Sequence, residues 1–133
     1  MKKTILTTMA LAGTFLLLTS QINDEPIMTK EKDVTVINTT SLATDIEGYV
    51  GCTPVKVYIK GGKVLRVEAL ENEETPKYFD MVEKGLMKKW NGVPVKTAEK
   101  CKVDVVTGAT VSSEAVIENV RRGISYYIYM NKK

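Results

Sequence analysis

The residues of this chain that could do chemistry are few, and they gather near the C-terminus in Asp104-Val105-Val106-Thr107-Gly108-Ala109-Thr110-Val111-Ser112-Ser113. An apolar, strand-like approach gives way to a glycine turn and then to the start of an amphipathic helix. Thr110 is therefore expected to sit exposed just ahead of free backbone N–H groups. Helix N-termini favour anions, because unpaired donors and the positive end of the macrodipole converge there. A phosphate could rest on such a spot. The same residues also read as an ordinary helix start, with Ser112 or Ser113 as N-cap and Glu114 in the first turn.

The remaining reactive groups are Cys52 and Cys101, which are not in a Cys-x-x-Cys arrangement. The chain has no His. That removes the commonest general base and metal ligand, every Ser-His or Cys-His nucleophile, and a neighbour that would lower a thiol pKa. Two cysteines are too few for a Cys-rich zinc site. Any chemistry is then expected to belong to a bound cofactor rather than to side chains.

The elements that must position these residues can be read in order. Residues 1–20 open Met-Lys-Lys, run through an apolar stretch over 5–18 and end in Thr19 and Ser20. This is a secretory signal, cleaved after Ser20 or retained as a signal anchor. Without those residues, 17 basic groups stand against 16 acidic ones, so nothing points to nucleic acid. Residues 21–32 are polar and aperiodic and read as a flexible tether. The domain then runs over 33–133 and, at 44% hydrophobic residues, can bury one core.

A short first strand is expected around Val34, Val36 and Ile37. Val55, Val57 and Ile59 alternate with polar residues, Gly61-Gly62 follows, and residues 64–70 alternate again with Leu65, Val67 and Ala69 on one face. That pattern is a β-hairpin. Thr75 suits a helix N-cap and Pro76 its first position, with Glu73 and Glu74 complementing the dipole. Phe79, Val82, Leu86 and Trp90 then share a stripe that Asn91-Gly92 ends. Residues 93–95 and 101–106 are expected to supply further strand material, with Cys101, Val103 and Val105 on one face and Asp104 on the other. The closing helix, from Ser113 to about Met130, carries Val116, Ile117, Val120, Ile124, Tyr127 and Ile128 at helical spacing. Gly123 within that stripe marks a close approach to the sheet. The fold class is α+β, a small antiparallel sheet with a β-hairpin packed against two helices.

The Asp-x-x-Thr-Gly-Ala-Thr-x-Ser stretch resembles the flavinylation motif of the FMN-binding domain family, which includes components of the sodium-translocating NADH:quinone reductase and of the Rnf electron-transport complex. The resemblance covers Tyr49 to about Tyr127, in order from a Gly-Tyr strand through the glycine hairpin, Glu74-Thr75-Pro76 and the flavinylation motif to the closing helix. The family usually follows that Glu-Thr-Pro with Gly, where this chain has Lys77. The resemblance implies FMN as cofactor, esterified through its phosphate to Thr110 by a separate FMN:protein transferase that reads the sequence around Asp104. Thr107, Gly108, Ala109, Glu74 and Thr75 complete the residues implied at the cofactor site.

It further implies an electron carrier more than a self-standing enzyme, working outside the cytoplasm with a membrane redox complex or another electron-transfer protein. A flavin-free binding or structural module on the same fold is the alternative. Lys100, Lys102, Arg121 and Arg122 are read as phosphate partners or as solvated charges. Export and an even cysteine count lead us to expect one disulfide, Cys52 to Cys101, worth roughly 4 kcal/mol.

Overall fold

The computed structural model describes residues 25–132, so the expected signal over 1–20 lies outside the described residues. Four strands, β1 (Met28–Glu31), β2 (Val34–Asn38), β3 (Val55–Lys60) and β4 (Lys63–Ala69), form an antiparallel sheet in the order β1-β2-β3-β4. On one face lie α1 (Pro76–Leu86), its 3-10 extension Met87–Trp90, the short α2 (Val95–Lys100) and the long α3 (Thr110–Met130). The fold is α+β, as expected, with α2 as a helix the sequence reading did not anticipate.

The hairpin forms where the glycines predict it. Gly61 and Gly62 have φ of +59° and +74°, and a tight turn with both central residues left-handed matches the twist of the strands it joins. Val55, Val57 and Ile59 are fully buried. The second strand departs from expectation, because Val64 is buried and Leu65 is exposed. Pairing runs Ile59 to Val64 but Tyr58 to Arg66, a bulge that inserts Leu65 as an unpaired residue. One extra residue flips the alternation behind it.

The tether reading yields at its end to β1, where Met28–Glu31 pair with β2. Residues 101–106 form no strand: they run as irregular chain. Val95–Lys100, in part read as strand material, is helical.

At the margin of β4, Val64 donates to Val93 O (2.8 Å), Gly92 to Val64 O (2.6 Å) and Val95 to Gly62 O (3.0 Å). The segment after Trp90 therefore lies along the outer edge of the sheet. The core joins Ile37, Val55, Val57, Ile59, Val64 and Val67 of the sheet to Phe79, Val82, Leu86 and Trp90 and to Val116, Val120 and Ile124. Each such side chain contributes on the order of 1.5–3 kcal/mol when removed from water. The α1 stripe is buried as its spacing requires. Gly123 brings α3 down onto Thr39, Val57 and Ile37, and the buried Thr39 Oγ1 donates to Asn119 Oδ1 of α3 at 2.7 Å. Helix and sheet are thus held in one register, which fixes where the start of α3 projects.

Candidate functional site

The start of α3 is built by the turn before it. Gly108 has φ of +91°, a value that a side chain would strain. Ala109 donates to Val106 O (2.9 Å) and its own carbonyl accepts from Ser113 N (2.9 Å). Ala109 is therefore the N-cap and Thr110 the first helical residue, three positions ahead of the expected start at Ser113. The reason is that both serines are engaged elsewhere. Ser112 Oγ donates to Glu74 Oε1 at 2.6 Å, and Ser113 Oγ accepts from Val106 N–H at 3.1 Å. An alanine cap supplies no side-chain oxygen, so among the described residues the N–H groups of Thr110, Val111 and Ser112 have neither an intrahelical nor a side-chain acceptor. Thr110 is exposed beside them.

A cavity of about 450 Å³ opens at this point, lined by Tyr49, Thr75, Tyr78 and residues 108–112. Its size lies within the roughly 300–1,000 Å³ usual for small-molecule sites. One wall is thus a helix N-terminus with open donors, and two tyrosines stand at the others. Tyr78 projects from the first turn of α1, off the buried stripe, and is 46% exposed; Tyr49 is 78% exposed. The sequence reading did not single out Tyr78, although an aromatic residue on the polar side of an amphipathic helix is a visible signal. Thr75 caps α1 through its carbonyl, which accepts from Tyr78 N and Phe79 N. Its side chain makes no cap hydrogen bond.

Glu74 is expected at the cofactor, and in sequence terms at the dipole of α1. It instead turns inward and is only 5% exposed. Its carboxylate accepts from the N–H groups of Tyr49 (2.7 Å), Val50 (2.6 Å) and Gly51 (3.3 Å), and from Ser112 Oγ. Burial opposes ionisation, but the hydrogen bonds from Ser112, Val50, Tyr49 and Gly51 together outweigh it and hold the carboxyl below its ordinary range.

Of the residues expected at the cofactor, the structure gathers Thr110, Ala109, Gly108 and Thr75 around the cavity. Thr107 and Asp104 lie outside its lining, on the exposed chain leading to it. The cationic residues of α3 are engaged away from it: Arg121 pairs with Glu118, while Arg122 binds Asp45 (2.5 Å) and Leu42 O (3.0 Å). The disulfide expectation is corrected, since Cys52 and Cys101 are both free thiols. Neither sits on a strand. Cys52 lies in the loop before β3 with its Sγ against Thr44 O, and Cys101 ends α2 with its Sγ against Ala98 O.

Residues 48–125 match the FMN-binding domain family. The chain belongs to that family. FMN is accordingly its cofactor, and the cavity fits the group: open N–H donors suit its phosphate, and a mouth flanked by two tyrosines suits a flat heteroaromatic ring. The chain is also 28% identical over 109 residues to the G subunit of the ion-translocating oxidoreductase complex of Buchnera aphidicola subsp. Baizongia pistaciae (strain Bp). The alignment covers 71% of this chain and 50% of that protein, so the chain spans half the length of this curated relative. Among the described residues no helix is long and apolar enough to cross a membrane, and no group of His, Cys, Asp and Glu could hold a metal.

Proposed function

We propose that this protein is an exported electron carrier holding FMN covalently through a phosphoester to Thr110. The observation that carries the reading is the position of Thr110: exposed, first in α3, and at the edge of a cavity that Tyr49, Thr75 and Tyr78 also line. The N–H groups of Thr110, Val111 and Ser112 would receive the phosphate oxygens, while Tyr49 and Tyr78 would flank the ring. When bound, FMN takes up and releases electrons one or two at a time.

What the chain contributes is retention, orientation and partial shielding from water. Covalent attachment suits a carrier outside the cytoplasm, where a dissociated cofactor would be lost. An FMN:protein transferase would make the bond. Similarity to one component of an ion-translocating oxidoreductase complex supports a membrane redox complex as donor or acceptor.

The test is intact-mass measurement of protein taken from its native envelope. The expected species lacks residues 1–20, or keeps them as an anchor, and carries the mass of one FMN less one water. It is yellow and keeps its flavin through denaturation. A colourless protein of unmodified mass, purified from cells with an active transferase, would refute covalent attachment.

A further inference from the structure

We propose that Glu74 is a positioning residue: its single carboxylate ties residues 49–51 to the N-terminus of α3, and so sets the Tyr49 ring at the mouth of the flavin site. The inference rests on reading the Thr110 cavity as that site. The loop that carries Tyr49 has little of its own to hold it. Tyr49 and Val50 are 78% and 54% exposed, so side-chain burial does little to hold them. The loop's one internal backbone bond runs from Gly48 N to Gly51 O at 2.7 Å. What fixes it is Glu74, which receives three successive N–H groups from 23 to 25 residues away in the chain.

The same carboxylate receives Ser112 Oγ from the first turn of α3, 38 residues away. An ionised carboxylate is acceptor-only, with lone pairs enough for all four donors. No neutral side chain of this shape can serve. In a glutamine, one of the two positions becomes an NH₂ group, and either orientation sets it against backbone N–H donors of the loop. Gly48 belongs to the same arrangement. A Cβ at that position would meet Glu74 Oε1 well inside contact distance, with Thr53 Cγ2 at 3.1 Å behind it. The carboxylate occupies the space that the missing side chain leaves. Tyr49 therefore stands relative to Thr110 at a position determined through Glu74 and Ser112, not through contacts of its own ring.

The experiment compares flavinylated full-length wild type with Glu74→Gln and Tyr49→Ala. Amide hydrogen exchange reads the loop, and emission of the bound flavin reads the ring. In Glu74→Gln, exchange of the Tyr49, Val50 and Gly51 amides should quicken roughly ten- to hundred-fold while the middle of α3 stays protected. Flavin emission, quenched by a stacked tyrosine, should rise in Glu74→Gln and in Tyr49→Ala alike. Should Glu74→Gln not fold, Gly48→Ala displaces the carboxylate without removing its charge and should give the same two changes. Unchanged loop exchange overturns the tie, and unchanged emission in Tyr49→Ala overturns the placement of the ring. A wild type that never acquires FMN refutes the function on which the proposal rests, an outcome visible in its mass before either variant is compared.

Discussion

Replacing Gly123 by Ala sets two effects of known size against each other. In an exposed helix interior the change gains about 1 kcal/mol, because Ala loses less backbone freedom on folding. Here the new Cβ would lie 2.9 Å from Thr39 Cγ2, 3.4 Å from Val57 Cγ2 and 3.5 Å from Ile37 Cγ2. Carbon pairs prefer roughly 3.5–4.0 Å, so the first contact is repulsive and the others leave no slack. Thr39 cannot turn its methyl away, since its Oγ1 donates to Asn119 Oδ1 (2.7 Å) and accepts from Val55 N (2.9 Å).

Either α3 lifts from the sheet or a buried hydrogen bond lengthens, and overpacking of this kind costs about 1–3 kcal/mol. The expected net effect is destabilisation by about 1 kcal/mol, or roughly 4–8 °C in melting temperature for a domain of this size. Urea unfolding followed by the fluorescence of Trp90, 2% exposed in the folded state, measures it. Gly51→Ala is the control: no atom lies within 4 Å of its added Cβ, so stability should hold or rise by up to about 1 kcal/mol. A Gly123→Ala protein more stable than wild type by about 1 kcal/mol would show that helix propensity, not contact with the sheet, governs this position.

Thr110→Ala should abolish denaturation-resistant flavin while shifting stability by no more than about 0.5 kcal/mol, since the side chain is exposed; covalent flavin on that variant would end the assignment. Asp104→Asn should slow flavinylation in a timed assay with the transferase and leave the urea midpoint unchanged, and an unchanged rate would make Asp104 an ordinary solvated carboxylate. The stabilising contribution of Glu74 should depend on pH with a definite sign. Its folded-state pKa lies below the ordinary 4.5, so its contribution is complete above that value and is lost as pH falls through it toward the folded value. The gap in unfolding free energy between wild type and Glu74→Gln should therefore narrow as pH falls from 7 to about 3. Asp45, held down by its hydrogen bond to Arg122, is common to both proteins and drops out of the comparison.

What the sequence disclosed divides by the range of the interactions involved. The Gly61-Gly62 turn, the Thr75-Pro76 helix start and the stripe from Phe79 to Trp90 rest on contacts within a few residues, and each is where its pattern placed it. Thr110 was legible as an exposed residue at a helix start for the same reason. The burial of Val64 in place of Leu65 was not, because a bulge is a property of two strands and no alternation within one of them reveals it. The start of α3 was misplaced because Ser112 and Ser113 are good caps locally, whereas their hydroxyls are committed to Glu74 and Val106. Glu74 itself shows the limit most plainly. Ahead of Thr75-Pro76 it reads as a charge complementing the helix dipole, and only the folded chain brings it the three amides of residues 49–51. Cys101 failed as a strand residue because its segment, apolar alternation notwithstanding, finds no partner strand.

The chain laid beside the start of β4 has a bearing on how the sheet meets other copies of itself. An unpaired sheet margin is a template on which another copy can add a strand, and such templates seed aggregation. Here Gly92, Val93 and Val95 exchange backbone bonds with Gly62 and Val64 and cover the start of one margin, while a bulge at Leu65 interrupts it further on. The opposite margin is β1, only four residues long and carrying Lys30 and Glu31, with Lys32 and Asp33 just beyond. Among the described residues, each border thus carries features that discourage edge-to-edge growth. A concentrated solution of the domain can then stay dispersed, while the face around Tyr49, Tyr78 and Thr110 stays open.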